Sequence, residues 1–314
     1  MIDHDWPALC RRVVSAQRRV YERYDSIESR NRYEGIGEGG DRTLMIDRLC
    51  EDEVFAELEA ATAATGGSLL AISEERGEIA IGPAGGAGGG AAPGGPGGGA
   101  ATAGTADEAV RVVIDPIDGS LNARRTVPSY SLSLAVASGP SMADVEFGYV
   151  YDFGAAEEYM ARRGQGATRN GTPLALNAGP PAAEPAGAQE SPPSGDGRAM
   201  ELVGLEAADP ALAAPAMAAL ADHVHRLRVV GSIAITACLV AAGRLDGMFS
   251  LRPCRSVDIA AAQLIVTEAG GEVSLAPEGP AASGLGLAER YPVTAASSRA
   301  NLEILLAAQK APDR

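Results

Sequence analysis

Val112 to Asn122 reads VVIDPIDGSLN, and this segment constrains the fold more than any other part of the chain. Three β-branched apolar residues run into two carboxylates, Asp115 and Asp118, with a proline between them and a glycine and a hydroxyl residue behind. Such a run favours an extended, buried strand, so the acids stand at the end of a core element and not on a solvated face. Pro116 fixes φ and is expected to stop the strand, which lets Asp115 and Asp118 turn towards a common point with the Ile117 carbonyl as a further oxygen ligand. Gly119 leaves the following backbone N–H groups approachable, which suits an anion bound beside a cation.

Two other segments supply acids in similar settings. Ile72-Ser73-Glu74-Glu75 is again an apolar strand that ends in carboxylates, and Asp258 falls in the first turn of an expected helix within Ser256-Val257-Asp258-Ile259-Ala260-Ala261. Taken singly, each acid could be a helix cap or a solvated loop residue. Taken together they suit a hard cation, which needs several oxygen ligands converging from strand ends and a helix start.

The rest of the composition narrows the class. At 314 residues the chain is long enough for two domains. Its 26 basic against 41 acidic residues, net charge −15, argue against a nucleic-acid partner, which needs clustered Lys and Arg. No apolar run approaches the roughly 18 residues of a membrane span, and the Arg-studded start lacks the apolar centre of a signal peptide. No membrane association is expected, and the cytoplasm is the expected location. Cys10, Cys50, Cys238 and Cys254 form no C-x-x-C pair and read as reduced, buried thiols. His223 and His225 would point apart on a helix and His4 is remote, so neither a zinc site nor a Ser-His-Asp triad is indicated.

Periodicity predicts helices over Trp6 to Tyr24 and Asp47 to Thr65, the second with Asp47 capping its start. Strands follow over Ser68 to Ser73, Val110 to Asp115, Tyr130 to Ala137 and Val145 to Phe153, and Asn170-Gly171 marks a hairpin. Then strand and helix alternate: Met200 to Leu205, Pro210 to Asp222, Leu227 to Val230, Ser232 to Ala242, Asp246 to Leu251, and Val257 to Ala269. The expected organisation is an N-terminal α+β metal-binding domain over 1–155 and a C-terminal α/β domain over 156–314. Two biased stretches interrupt it. Gly82 to Gly104 holds 12 glycines in 23 residues without a charge, and Ala178 to Ala199 holds five prolines; both read as linker-like insertions. The glycine tract lacks the G-K-[ST] ending of a phosphate loop.

In order along the chain, ISEERG, DPIDGSLNA and VDIAAAQLIVTEAGG resemble the motifs of the inositol monophosphatase superfamily of Mg²⁺-dependent phosphatases. Asn122-Ala123, and the run from Arg252 through Arg255 to Asp258, one residue shorter than the pattern, resemble the archaeal type that acts on both fructose 1,6-bisphosphate and inositol phosphates. The resemblance implies the sugar-phosphatase fold, an alternating α-β-α-β-α layered sandwich of α+β and α/β layers. It further implies that Glu74, Asp115, the Ile117 carbonyl, Asp118 and Asp258 hold two or three Mg²⁺ ions, with Mn²⁺ as a substitute. Asp47, Glu75 and Ser120 take catalytic roles in that reading, Asp47 and Ser120 together activating water. Asp118, Gly119 and Ser120 cradle the scissile phosphate, and Arg228, Ile233 and Arg252 contact substrate, with Arg228 or Arg252 reading a second phosphate. Gly39 to Asp47 resembles the family's mobile loop but lacks its lysine. The implied activity is phosphate-monoester hydrolysis of a small phosphorylated sugar or polyol, fructose 1,6-bisphosphate or inositol 1-phosphate, by a homodimer. A 3′-phosphoadenosine phosphate or NADP phosphatase, or a phosphatase-like binding protein without turnover, are the alternatives.

Overall fold

Asp5 accepts a hydrogen bond from the Ala8 backbone N–H at 3.0 Å, and Pro7 occupies the first turn, where its missing N–H costs nothing. Those two residues set the start of α1 (Trp6–Arg23), whose buried stripe includes Leu9, Val13 and Val20 as the spacing indicates. The structure, a computed structural model, describes residues 4–36, 42–83, 110–176, 197–275 and 279–311. Gly39 to Asp41 of the loop motif, and most of both biased stretches, lie outside the described residues.

After α1 come α2 (Ile27–Arg30), the antiparallel pair β1 (Tyr33–Ile36) and β2 (Arg42–Leu44), and α3 (Met45–Thr65), which ends on Gly66 at φ 67°. The first large sheet follows: β3 (Leu69–Ser73), β4 (Gly77–Ile81), β5 (Val110–Asp118), then, beyond α4 (Ser120–Arg124), β6 (Ser131–Ala137), β7 (Val145–Asp152), β8 (Glu157–Arg162), β9 (Gly166–Arg169) and β10 (Thr172–Leu174). The strand order is β10-β9-β8-β7-β6-β5-β3-β4, antiparallel except for the parallel pair β3 and β5. Asn170 and Gly171 turn β9 into β10 with positive φ at both positions, as the hairpin signal predicts.

The second half alternates: β11 (Met200–Glu206), α5 (Pro210–Leu220), β12 (Val224–Arg228), α6 (Ile233–Ala241), β13 (Gly247–Ser250), β14 (Cys254–Arg255), α7 (Ser256–Glu268), β15 (Glu272–Ser274), β16 (Arg290–Tyr291), β17 (Thr294–Ala296) and α8 (Arg299–Gln309). Its sheet runs β12-β11-β13-β17-β15, with β11 parallel to both β12 and β13. The strand expected at Leu227 to Val230 begins three residues earlier and ends two earlier, because the Val230 and Gly231 N–H groups are taken by the Glu206 carboxylate and leave the ladder. The first sheet continues to Leu174, so the sheets divide the chain between β10 and β11, later than residue 155.

Three apolar cores build the layers. Trp6, Leu9 and Val13 of α1 with Val54, Phe55 and Leu58 of α3 cover one face of the eight-stranded sheet, at Val112, Ile114, Leu132 and Leu134. The other face, including Val113 and Ala135, packs on α6 and α7, which are also covered from beyond by Met248 and Ala295 of the second sheet. The far face of that sheet, Val203 and Phe249, is closed by α5 and α8. The result is the α-β-α-β-α sandwich. Among the described residues no helix is long and apolar enough to cross a membrane, and all four cysteines are buried and free.

Candidate active site

A strand alternates faces with period two, so residues three apart should point in opposite directions. Asp115 and Asp118 do not. Asp115 pairs with Ser133 of β6 and Asp118 with Ser131, two residues apart, so β5 carries one extra residue between them. This bulge returns both carboxylates to the face packed on α6 and α7. It also corrects the expectation that Pro116 stops the strand: β5 continues to Asp118, and Pro116 falls within the register shift between Asp115 and Asp118.

The other acids arrive by packing. Because β3 runs parallel to β5, with Ser73 opposite Ile114, Glu74 leaves β3 beside Asp115. Asp258 sits in the first turn of α7, where its Oδ2 accepts from the Arg255 N–H at 2.9 Å. Asp118 Oδ2 accepts from the Ser232 hydroxyl at 2.5 Å and the Ala234 N–H at 2.7 Å, capping the start of α6. Asp115 Oδ1 accepts from the Ile117 N–H at 2.9 Å. Asp115, Asp118 and Asp258 thereby bring ligand oxygens within 4.8 Å of one another.

That arrangement is electrostatically costly by itself. Burial, reinforced by the neighbouring carboxylates, pushes Asp115 well above the ordinary aspartate value and raises Asp258 in the same way. Burial also raises Asp118, against the opposing pull of its hydrogen bonds to Ser232 and Ala234. Asp47, in the first turn of α3, is pushed up to about 8 by burial and then by the charges of Glu75 and Glu74. It accepts from the Leu44 N–H, while its Oδ1 is buried without a partner. Crowded carboxylates with an orphaned oxygen beside them are a donor set that fits a hard cation.

Asp47, Glu74, Glu75, Asp115, Ile117, Asp118, Gly119, Ser120 and Asp258 all line one cavity of about 380 Å³. Gly119 adopts φ 95° at the head of α4, and a Cβ there would stand 3.0 Å from the carbonyl oxygens of Gly231 and Ser129. The Ser120 hydroxyl donates to the Ile117 carbonyl at 2.9 Å and not to Asp47. Arg228, Ile233 and Arg252 do not line the cavity. The exposed Arg252 is paired with Asp209 at 2.6 Å. Arg228 is exposed and donates to the Leu227 carbonyl, and the Ile233 N–H is bound by Asp118. In their place the structure brings in Tyr33, Arg124 and Arg255. Arg255 donates to Glu74. Arg124 was legible only as the residue one helical turn after Ser120, and Tyr33 gives no signal in the sequence.

Residues 13–312 match the model of the inositol monophosphatase family. A fructose-1,6-bisphosphatase/inositol-1-monophosphatase of Methanothermobacter thermautotrophicus is 28% identical over 276 residues, covering 86% of this chain and 84% of its own. One of the same name from Thermococcus kodakarensis is 31% identical over 241 residues, 76% of this chain and 72% of its own. A crystal structure described as an inositol monophosphatase–fructose 1,6-bisphosphatase superposes with TM-score 0.72 at 22% identity, over 97% of this chain and 100% of that one, a likeness of fold.

Proposed function

The chain belongs to the inositol monophosphatase family of metal-dependent phosphatases, and from that premise we propose that it uses Mg²⁺ to hydrolyse a phosphate monoester of fructose 1,6-bisphosphate, inositol 1-phosphate or both. One observation carries the reading: three carboxylates from β5 and α7, Asp115 and Asp118 buried and Asp258 half-buried, converge within 4.8 Å, in the cavity that Asp47, Gly119 and Ser120 also line.

We assign Glu74, Asp115, the Ile117 carbonyl, Asp118 and Asp258 to hold Mg²⁺, for which Mn²⁺ can substitute. When bound there, the cations activate water and stabilise charge on the phosphoryl and leaving-group oxygens. The chain's own residues do the rest. The backbone at Asp118, Gly119 and Ser120 presents N–H groups to the phosphate oxygens. Asp47, which lines the same cavity from the first turn of α3, takes the proton of the attacking water as the carboxylate, and Ser120 orients that water through its hydroxyl. Glu75, on the wall of the same cavity, polarises water there. The assembly proposed with this activity is a homodimer, which light scattering measures directly.

The test is release of inorganic phosphate from fructose 1,6-bisphosphate, inositol 1-phosphate and 3′-phosphoadenosine phosphate, with and without Mg²⁺. Turnover that needs Mg²⁺ and disappears in Asp118→Asn supports the reading. Tight Mg²⁺ binding with no release from any of the three would favour a binding protein instead.

A further inference from the structure

Two cationic side chains line the cavity among the described residues, Arg124 and Arg255. They are not equivalent. Arg255 donates to Glu74, so its charge is matched by a carboxylate of the site. Arg124 donates from Nη1 to a neutral oxygen, the Tyr33 hydroxyl, at 2.7 Å, and its Nε is buried without a hydrogen-bond partner. It forms no ion pair among the described residues. A guanidinium is a rigid fork of donors that matches phosphate oxygens two at a time. Here one prong is held by Tyr33 and another N–H is left with no acceptor.

The position of Arg124 selects the anion. It lies one turn after Ser120 on α4, so both side chains share a face of the helix. Side chains on a helix lean towards its N-terminus, which directs Arg124 back to the Gly119-Ser120 end. Its charge is also felt by Asp47, whose proton affinity it lowers. These relations place the guanidinium on the Asp47 side of the cavity, near the Gly119-Ser120 backbone proposed to cradle the phosphoryl group, in a cavity that Arg228 and Arg252 do not line. The cavity is otherwise lined by six carboxylates, which would repel a dianion.

We propose that Arg124, oriented by Tyr33, binds the non-bridging oxygens of the phosphoryl group being hydrolysed. This inference rests on the phosphatase reading above and names a residue for it that the sequence motifs do not contain. Arg124 then contributes to every substrate alike, since the phosphoryl group is common to all of them.

The experiment compares wild type, Arg124→Gln, Arg124→Lys, Tyr33→Phe and, as a control on the same helix cap, the exposed Arg125→Gln, all at saturating Mg²⁺. It measures kcat and KM for fructose 1,6-bisphosphate and inositol 1-phosphate, the inhibition constant of inorganic phosphate, and folding by circular dichroism. Arg124→Gln should weaken inorganic phosphate about 10- to 100-fold, the range of a charged hydrogen bond, and lower kcat/KM for both substrates by a similar factor. Arg124→Lys should recover part of the loss, Tyr33→Phe should lose less, and Arg125→Gln should match wild type. A loss confined to fructose 1,6-bisphosphate, with phosphate inhibition unchanged, would overturn the proposal and make Arg124 a reader of the second phosphate. Unchanged constants in a folded Arg124→Gln would also overturn it. A wild type that hydrolyses nothing would instead sink the phosphatase reading itself.

Discussion

Asn122 reaches Val230 across 108 residues of sequence: its Nδ2 donates to the Val230 carbonyl at 2.8 Å, and the same amide donates to the Ser129 carbonyl at 2.8 Å. One side chain thus fastens α4, next to the phosphate cradle, to the turn that precedes α6, whose start Asp118 caps. Asn122→Ala should cost about 1–3 kcal/mol, the range for buried groups left unpaired. Asn122→Asp should cost more, since a carboxylate would face two carbonyls with no hydrogen to offer. Urea denaturation of the two variants ranks them, and an Asp variant as stable as wild type would contradict the assignment.

Stability in the absence of divalent cations should depend on pH in a defined direction. Burial pushes Asp118 up to about 6 and Asp258 up to about 7, and raises Asp115 too. A carboxyl group whose folded value lies above its unfolded value, about 3.9 for aspartate, is held protonated more tightly in the folded state. Its contribution is therefore present at low pH and lost as pH rises from about 4 through about 7. Melting curves in EDTA should fall across that window. Mg²⁺ should raise the melting temperature more at pH 8 than at pH 5, because binding requires ionised ligands. Equal shifts at the two pH values would count against the metal assignment.

Gly148 of β7 lies under α7, the helix that carries Asp258. A Cβ there would stand 2.6 Å from the Ala261 carbonyl oxygen, and a helix backbone cannot yield without moving the helix. Gly148→Ala should destabilise by about 1–3 kcal/mol, as overpacking does. It should also raise the Mg²⁺ concentration needed for half-maximal phosphate release. Wild-type Mg²⁺ dependence in a folded variant would show that α7 tolerates the shift.

The glycine-rich segment enters the fold at the sheet edge opposite the acids. Leu69, at the start of β3, pairs with Ile81 on one side and Val110 on the other, whereas Glu74 follows the far end of the strand. Ile81 and Val110 are thus two strand spacings apart, about 10 Å. Removing Gly85 to Ala101 leaves eleven residues to join them, ample for that gap at about 3.3 Å each. Mg²⁺-dependent turnover should survive the deletion within a few-fold, and its collapse would mean that the segment acts on the site.

Much of the site was legible in the chain itself. Glu74, Asp115, Ile117, Asp118 and Asp258 announce themselves by type and by following apolar strands or opening a helix, which are local properties. Arg252 does not line the cavity: an arginine near a motif says nothing of where its side chain finds a partner, and here Asp209 pairs with it at the surface. Arg124 and Tyr33, 91 residues apart, meet only in the folded chain.

The amino-acid sequence by itself determined which donors are present, their order, and that the strand bearing two of them is buried, since burial preference and backbone propensity are written residue by residue. Which way those donors point was decided by the tertiary structure. Asp115 and Asp118 should face apart by strand alternation, and they face together because the β6 register absorbs one extra residue as a bulge. That register depends on pairing with Ser131 and Ser133 and on packing against α7, long-range contacts that no local stretch of the chain encodes.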